Sequence, residues 1–197
     1  METKKVVMME KLLLASGSPR RAEILRAVGW EFEALATNID ETLVPGESAE
    51  EAVERLALGK AEEAARQQQS SALVLGADTI VVVEAEILGK PRDDEDARRM
   101  LRQLSGRWHD VLTGVALVRS GGEGLRRVVS HERTRVRFGP LSEAEIDWYV
   151  KSKEPADKAG AYAIQGRAAL FIEEVRGEYL NIVGLPVRLI YKLAHEI

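Results

Sequence analysis

The chain has 197 residues, of which 45% are hydrophobic and 30% charged, and its formal net charge is −4. This composition is typical of a globular protein with a sizeable core, and the acidic balance argues against a general nucleic-acid or anionic-membrane binder. Cysteine is absent, which excludes disulfides and thiolate zinc sites. No apolar run reaches the roughly 20 residues that span a bilayer. Glu10 and Lys11 interrupt the apolar N-terminal segment, so we expect no signal peptide and a cytoplasmic location. We also expect a single domain over residues 1–197.

The first half of the chain predicts alternating strands and helices. A short buried strand, "KLLLAS", leads into a helix in "SPRRAEILRAVG", which Ser18 caps and Pro19 opens. "WEFEALA" alternates like a strand. Ser48 followed by Glu51 is a capping box that opens a helix reaching about Gln68. "SALVLGADTIVVVE" is a strongly apolar strand, and "EILGKPRD" is a turn.

The second half mixes helices with a hairpin. Asp93 opens a helix, "WHDVLTGVALVRS" and "LRRVVSHERTRVRF" flank "GGEG" like the strands of a hairpin, and Ser142 with Glu145 forms a second capping box. "AYAIQG", "AALFIEEVRGE" and "YLNIVG" are interpreted as short strands, and Pro186 opens a final helix. Together these elements predict an α/β fold with a mixed central sheet, helices on both sides and a cleft across the middle.

The junction "LLLASGSPRR" has the features of a phosphate site. A helix N-terminus offers free N–H groups and a partial positive charge. Ser16 and Ser18 add hydroxyl groups, while Arg20 and Arg21 add forked cations suited to phosphate. Cations are normally unfavourable in a first helical turn, and a bound anion would resolve that conflict. The alternative is a surface cap with two solvated arginines, but the doubled arginine favours phosphate binding.

Two charged residues interrupt apolar patterns. Lys60 falls on the apolar stripe of the long helix. One interpretation is that it reaches a charged partner or a water-filled cleft, and the other is that it extends along the surface to solvent; both stay open. Asp78 stands inside the apolar run "LVLGADTIVVV", where a carboxylate needs a counter-charge, a metal or hydrogen bonds. The alternative is a buried aspartate that caps a turn near Gly76. We favour a functional role for Asp78.

Three further residues are weaker candidates when taken alone. Lys90 lies in a tight Gly-Lys-Pro turn, where a lysine is ordinarily solvated. Glu41 belongs to an acidic loop pair, which is also ordinarily solvated. Gln165 has both a donor and an acceptor with which to read a base edge, although a buried glutamine bonded to backbone explains it equally well. The three histidines show no metal-ligand spacing, so the metal-ligand candidates are oxygen donors that suit Mg²⁺ or Mn²⁺.

Taken together, the motifs resemble those of the Maf family of nucleoside triphosphate pyrophosphatases. The match runs in order through "LASGSPRR", "IDET", "LALGKA", "VLGADTIVV", "GKPRD", "LSGRWHDVLTGVAL", "EPADKAGAYAIQG" and "NIVGLP". The resemblance implies one domain with a mixed α/β fold similar to that of ITPase-like proteins and a deep cleft between two lobes. It also implies hydrolysis of a nucleoside triphosphate to the monophosphate and pyrophosphate, with a divalent metal.

The resemblance also assigns roles to individual residues. It makes Asp78 the proton acceptor. It places Glu41, Lys60 and Lys90 in the active centre. It associates Arg20, Thr79 and Gln165 with the choice of substrate. The segment "AYAIQG" is similar to the branch of the family that acts on dTTP and UTP.

The residues and the family resemblance indicate the same mechanism. The arginines, serines and helix N-terminus hold the triphosphate, and the two lysines neutralise charge on its phosphates. Glu41 and Asp78 hold or adjoin the metal, and Asp78 takes a proton from the attacking water. We expect a nucleoside triphosphate as partner, no nucleic acid and no membrane, and a chain that can form a homodimer. The alternative function is a nucleotide-binding regulatory module linked to inhibition of cell division.

Overall fold

A computed structural model describes residues 10–68, 71–121 and 124–197. The N-terminal segment, where we expected no signal peptide, and the centre of the "GGEG" turn lie outside these ranges. Within them, no helix combines the length and apolar character needed to cross a membrane.

The described strands form one seven-stranded mixed sheet. They are β1 (Leu12–Ala15), β2 (Phe32–Ala34), β3 (Ala72–Val83), β4 (Glu86–Leu88), β5 (Trp108–Ser120), β6 (Arg126–Phe138) and β7 (Ile172–Arg176). The order is β2-β1-β3-β5-β6-β7, with β4 paired to β3. β1 is parallel to β2 and β3, whereas β4 is antiparallel to β3 and β7 to β6. The predicted mixed sheet is confirmed, and β5 and β6 are sheet neighbours, as the predicted hairpin requires.

The described α-helices follow the predicted start signals, apart from one that was predicted as a strand. They are α1 (Pro19–Ala27), α2 (Ala49–Arg66), α3 (Asp94–Leu104), α4 (Glu143–Lys151), α5 (Tyr179–Val183) and α6 (Val187–Leu193). Both capping boxes are confirmed, because each serine accepts from the N3 backbone and each N3 glutamate accepts from the serine backbone. Ser18 occupies the N-cap of α1, but its side chain makes no capping hydrogen bond.

Two stretches differ from the prediction. "EIL" is strand β4 rather than part of a turn, since Glu84 and Ala85, with φ of 49° and 68°, make a tight turn back from β3. "AYAIQG" is not a strand, because Gly160 and Ala161 adopt φ of 67° and 60°, a left-handed conformation that a strand cannot continue. The predicted strand "AALFIEEVRGE" begins as a 3₁₀ helix (Arg167–Phe171), and only Ile172–Arg176 within it is a strand. The predicted strand "YLNIVG" is helix α5 instead.

Contacts divide the chain into two compact units whose segments alternate along the sequence. The first unit comprises Met1–Asp78, Thr113–Glu132 and Gly184–Ile197, and the second comprises Thr79–Leu112 and Arg133–Val183. The first has a core in which alanines of α2 pack on apolar side chains of β1, β3 and β5. The second has an aromatic core of its own, formed by Phe138, Tyr149, Tyr162 and Phe171. The single domain over residues 1–197 and the cleft remain predictions.

Candidate active site

Helix α2 lies directly against strand β3 because β3 has a glycine at the point of approach. A Cβ atom built on Gly76 would lie 2.1 Å from the carbonyl oxygen of Ala57. Real side chains cannot occupy such a contact, so only glycine permits it. Residues two apart on a strand share a face, and residues three apart on a helix share a face. Asp78 and Lys60 therefore face each other one step beyond this contact.

Lys60 bridges two carboxylates. Its Nζ atom lies 2.6 Å from Oδ1 of Asp78 and 2.6 Å from Oε1 of Glu41. Lys60 and Asp78 are each 9% exposed, whereas the Glu41 side chain is 52% exposed. Lys60 thus has partners, and the alternative in which it extends to solvent is wrong. The alternative for Asp78 is also wrong, because Gly76 lies inside β3 and not in a turn.

The loop that carries Glu41 is held by a residue that the sequence did not single out. Arg55 of α2 donates from Nη2 to the carbonyl oxygen of Thr42 at 3.1 Å and from Nε to Oε1 of Glu47 at 2.6 Å. Asp40 accepts from the backbone of Thr42 at 2.9 Å, which tightens the loop at Glu41. An arginine on the polar side of an amphipathic helix looks like an ordinary solvated residue, so the sequence gives no signal for this role.

The "SGSPRR" junction forms a small polar network. Arg21 donates from Nε to the carbonyl oxygen of Gly184 at 2.8 Å and from Nη1 to Oγ of Ser16 at 3.1 Å. The backbone N–H of Ser18 donates to the same Oγ atom at 3.2 Å. Ser16 and Arg21 are buried, and Arg20 is half-buried. The alternative of two solvated arginines is therefore wrong for Arg21, which is built into the junction.

The charges of the junction and of the Lys60 bridge act on one another. Burial lowers the pKa of the Arg21 guanidinium, and the negative charges of Asp78 and Glu41 oppose that shift, while Arg20 adds to it. Arg21 therefore lies within electrostatic range of both carboxylates, and all the predicted site residues of the first unit except Ser18 belong to one charged cluster. That cluster consists of Ser16, Arg20, Arg21, Glu41, Lys60 and Asp78.

The carboxylates of this cluster fit a divalent ion that also binds phosphate. No group of three or more His, Cys, Asp and Glu residues within the described ranges is arranged to hold a metal. Glu41 and Asp78 nevertheless place two carboxylate oxygens around one ammonium. Mg²⁺ in nucleotide enzymes is usually held by one or two carboxylates together with substrate phosphates. The donor set therefore suits Mg²⁺ or Mn²⁺ only when a nucleotide completes it.

The remaining predicted residues belong to the second unit. Thr79 follows Asp78 on β3 and is half-buried. Lys90 is exposed just after β4, which agrees with either of its interpretations. Gln165 lies in a turn before the 3₁₀ helix and is exposed, so the alternative of a buried glutamine is wrong. Their roles in a common site remain predictions.

Comparison with known proteins decides the family. The family model described as Maf-like protein matches residues 11–197. The chain belongs to the Maf family. The family that the motifs predict is therefore confirmed, and the match covers every residue of the charged cluster.

Several similar proteins carry a functional name. This Maf protein is 56% identical to the dTTP/UTP pyrophosphatase of Symbiobacterium thermophilum over 91% of this chain and 90% of the relative. It is 54% identical to the protein of the same name from Hahella chejuensis, over 90% and 87% of the two chains. The Bacillus cereus protein of that name is 47% identical over 94% and 95%.

Solved structures support the fold. The Staphylococcus aureus Ham1 protein superposes with a TM-score of 0.53 at 14% identity, over 95% of this chain and 99% of that one. A HAM1 protein from Coxiella burnetii gives 0.53 at 17% identity, over 96% and 100%. At such low identity the likeness concerns the fold alone.

Proposed function

We propose that this Maf protein hydrolyses dTTP and UTP to the corresponding monophosphates and pyrophosphate. The observation that carries the proposal is the Lys60 bridge, in which one buried ammonium contacts both Asp78 and Glu41. Cleavage of a phosphoanhydride depends on positioning, charge neutralisation and a proton acceptor, and the arginines, the lysine and the carboxylates can supply these. The names of the relatives at 47–56% identity support the choice of substrate.

The triphosphate binds at the start of α1. The partial positive charge of this helix end and the guanidinium of Arg20 attract the phosphates. Arg21 is held by Ser16 and Gly184, so it contributes a fixed positive charge rather than a mobile one. Ser18 supplies a hydroxyl group at the same helix end. Lys90 adds a second ammonium, which neutralises charge that builds up as the bond breaks.

Asp78 acts as the general base. Lys60 occupies Oδ1 of Asp78, so Oδ2 is the atom that accepts the proton of the attacking water. The water oxygen bonds to the α-phosphorus, the bond from that phosphorus to the bridging oxygen breaks, and pyrophosphate leaves with the electron pair. Because Lys60 also contacts Glu41, it holds both carboxylates in place throughout the step.

A divalent cation, Mg²⁺ or Mn²⁺, completes the site on this proposal. Glu41 and Asp78 are the residues that would hold or adjoin it beside the phosphates of the nucleotide. When bound, the ion neutralises the charge that develops on the leaving pyrophosphate.

Selection of the base is assigned to Gln165, with Thr79 beside Asp78 assisting. The exposed amide of Gln165 can accept from N3–H of uracil or thymine and donate to O4. Such an enzyme acts on free nucleotides, without a nucleic-acid or membrane partner, and we place it in the cytoplasm. A homodimer belongs to the same proposal, and light scattering of the purified chain tests it.

A nucleotide panel tests the function. The purified protein is incubated with dTTP, UTP, CTP, ATP and GTP in turn, with Mg²⁺ and with excess chelator, and pyrophosphate and monophosphate are measured. We expect equimolar release of both products from dTTP and UTP, and none when the metal is chelated. Release of inorganic phosphate and a diphosphate would place the cleavage at the wrong bond. Tight nucleotide binding without any product would instead support the regulatory module.

A further inference from the structure

The residue assigned to base recognition sits at the tip of a tight turn. The backbone N–H of Gly166 donates to the carbonyl oxygen of Ala163 at 3.1 Å, so Ile164 and Gln165 occupy the two central positions. The backbone conformation of a turn sets the direction of the side chains at its two central positions. The groups that hold this turn therefore control where the amide of Gln165 lies.

One tyrosine–glutamate pair holds the turn from both sides. The N–H of Ala163 donates to Oη of Tyr149 at 3.1 Å, before Gln165 in the chain. The N–H of Arg167 donates to Oε2 of Glu154 at 3.1 Å, after it. Tyr149 Oη in turn donates to Oε1 of Glu154 at 2.8 Å. The two backbone groups that flank Gln165 thus end on a single hydrogen-bonded pair.

This pair is rigid. Tyr149 is 0% exposed in the aromatic core of the second unit, and burial raises the pKa of its hydroxyl, so it remains a donor to Glu154. Gly166 leaves room for the carboxylate, because a Cβ atom there would lie 2.2 Å from Oε1 of Glu154. The Arg167 guanidinium also stacks 5.4 Å from the ring centre of Trp148, on the same helix as Tyr149. The turn is therefore fixed to α4.

We propose that Tyr149 and Glu154 are positioning residues that set base specificity by holding the turn of Gln165. This inference rests on the proposed function and deepens it, since neither side chain reads the base itself. If the pair only stabilised the fold, its loss would lower the thermal midpoint and slow all nucleotides alike. Positioning predicts instead a selective loss of discrimination between UTP and CTP.

The test uses conservative variants of both residues. Tyr149→Phe removes the buried oxygen that accepts from the N–H of Ala163. Glu154→Gln leaves a single acceptor oxygen for two donors, the Tyr149 hydroxyl and the N–H of Arg167. We expect each to lower the ratio of kcat/KM for UTP over CTP by roughly 5- to 100-fold, because a backbone N–H group beside the turn loses its acceptor or must share it. The control is Glu143→Gln, a residue of α4 that bonds only the exposed Arg102 among described residues outside its own helix. It should keep the wild-type ratio.

A double-mutant cycle separates positioning from stability. In a Gln165→Leu background the base reader is gone, so adding Tyr149→Phe should change the UTP/CTP ratio by less than about twofold. An unchanged ratio in both single variants, or an equal additional loss in the Gln165→Leu background, overturns the inference while leaving dTTP and UTP hydrolysis intact. A wild-type protein that releases no pyrophosphate from either nucleotide overturns the proposed function, and this inference with it.

Discussion

Lys60 Nζ and Asp78 Oδ1 lie 2.6 Å apart, and each residue is 9% exposed. A buried ion pair of this kind is seldom a source of net stability, because desolvation of the two charges offsets their attraction. Its presence in the interior of the first unit is better explained by chemistry than by folding.

Replacing Asp78 by asparagine should abolish most turnover while the fold persists. Asparagine keeps the shape and can still accept a hydrogen bond from Lys60, but it cannot take a proton from water. We expect pyrophosphate release from dTTP to fall about 10²- to 10⁴-fold. Asp147→Asn, which breaks a surface ion pair with Arg98, is the matched control and should retain normal turnover. Near-normal activity in Asp78→Asn would remove this residue from the mechanism.

Replacing Lys60 by methionine should destabilise the protein as well as inactivate it. The variant takes away the ammonium that contacts the buried Asp78 carboxylate, and removing one partner of a buried ion pair typically costs about 3–5 kcal/mol. Adding Asp78→Asn to Lys60→Met should restore most of the free energy of unfolding, measured in urea, without restoring activity. If the double variant is no more stable than Lys60→Met, the charge of Asp78 is not what Lys60 compensates.

Much of this site was predictable because its signals are local. Capping boxes at Ser48 and Ser142 depend on residues three apart, and they fixed the starts of α2 and α4. Lys60 and Asp78 stand out because each is a charge in an apolar pattern. The partner of each was not predictable from composition or periodicity, since it depends on how closely α2 approaches β3 at Gly76.

The segments around Gln165 were the least predictable. Short apolar stretches such as "AYAIQG" fit a strand by composition, whereas the left-handed backbone at Gly160 and Ala161 breaks them into turns. Tyr149 falls on the apolar face of α4, where it looks like any core residue, and Glu154 follows a surface stretch. Their hydrogen bonds to the turn join residues that are distant in sequence, so only the folded chain reveals them.

Gly76 is expected to be indispensable for the fold of the first unit. Gly76→Ala would place a methyl group against the backbone carbonyl of Ala57, which cannot move without shifting α2. Overpacking of a tight core usually costs about 1–3 kcal/mol or more, and we expect the upper end here. Gly89→Ala is the control, because a Cβ atom there meets nothing within 4 Å. Equal thermal midpoints for the two variants would contradict the close contact.

His109 should make the protein sensitive to mild acid. Burial lowers its pKa from 6.5 to about 4, and its Nε2 lies 2.9 Å from the hydroxyl of Tyr162. Below pH 6.5 the unfolded chain gains a proton that the folded chain does not, so stability falls until about pH 4, where the folded form is protonated as well. The expected loss across that window is about 3 kcal/mol.

Urea unfolding between pH 7 and pH 4 measures this loss. His109→Gln removes the titrating group and keeps a side chain that can bond Tyr162, so its stability should fall less steeply with acid. His195→Gln, at an exposed position near the C-terminus, should follow the wild type. Identical slopes for wild type and His109→Gln would show that other groups govern the acid response.

Gln165 should determine which pyrimidine is accepted. Uracil and thymine present an N3–H donor beside the O4 acceptor, and a carboxamide matches both with two hydrogen bonds. Cytosine reverses the pattern at both atoms, so an amide held in one orientation forms neither hydrogen bond with it. We therefore expect a high ratio of kcat/KM for UTP over CTP in the wild type and a much lower one in Gln165→Leu. Gln67→Leu, an exposed glutamine at the end of α2, serves as the control and should keep the wild-type ratio. Equal wild-type rates for UTP and CTP, or a preference for a purine triphosphate, would refute both the base-reading role and the assignment to dTTP and UTP.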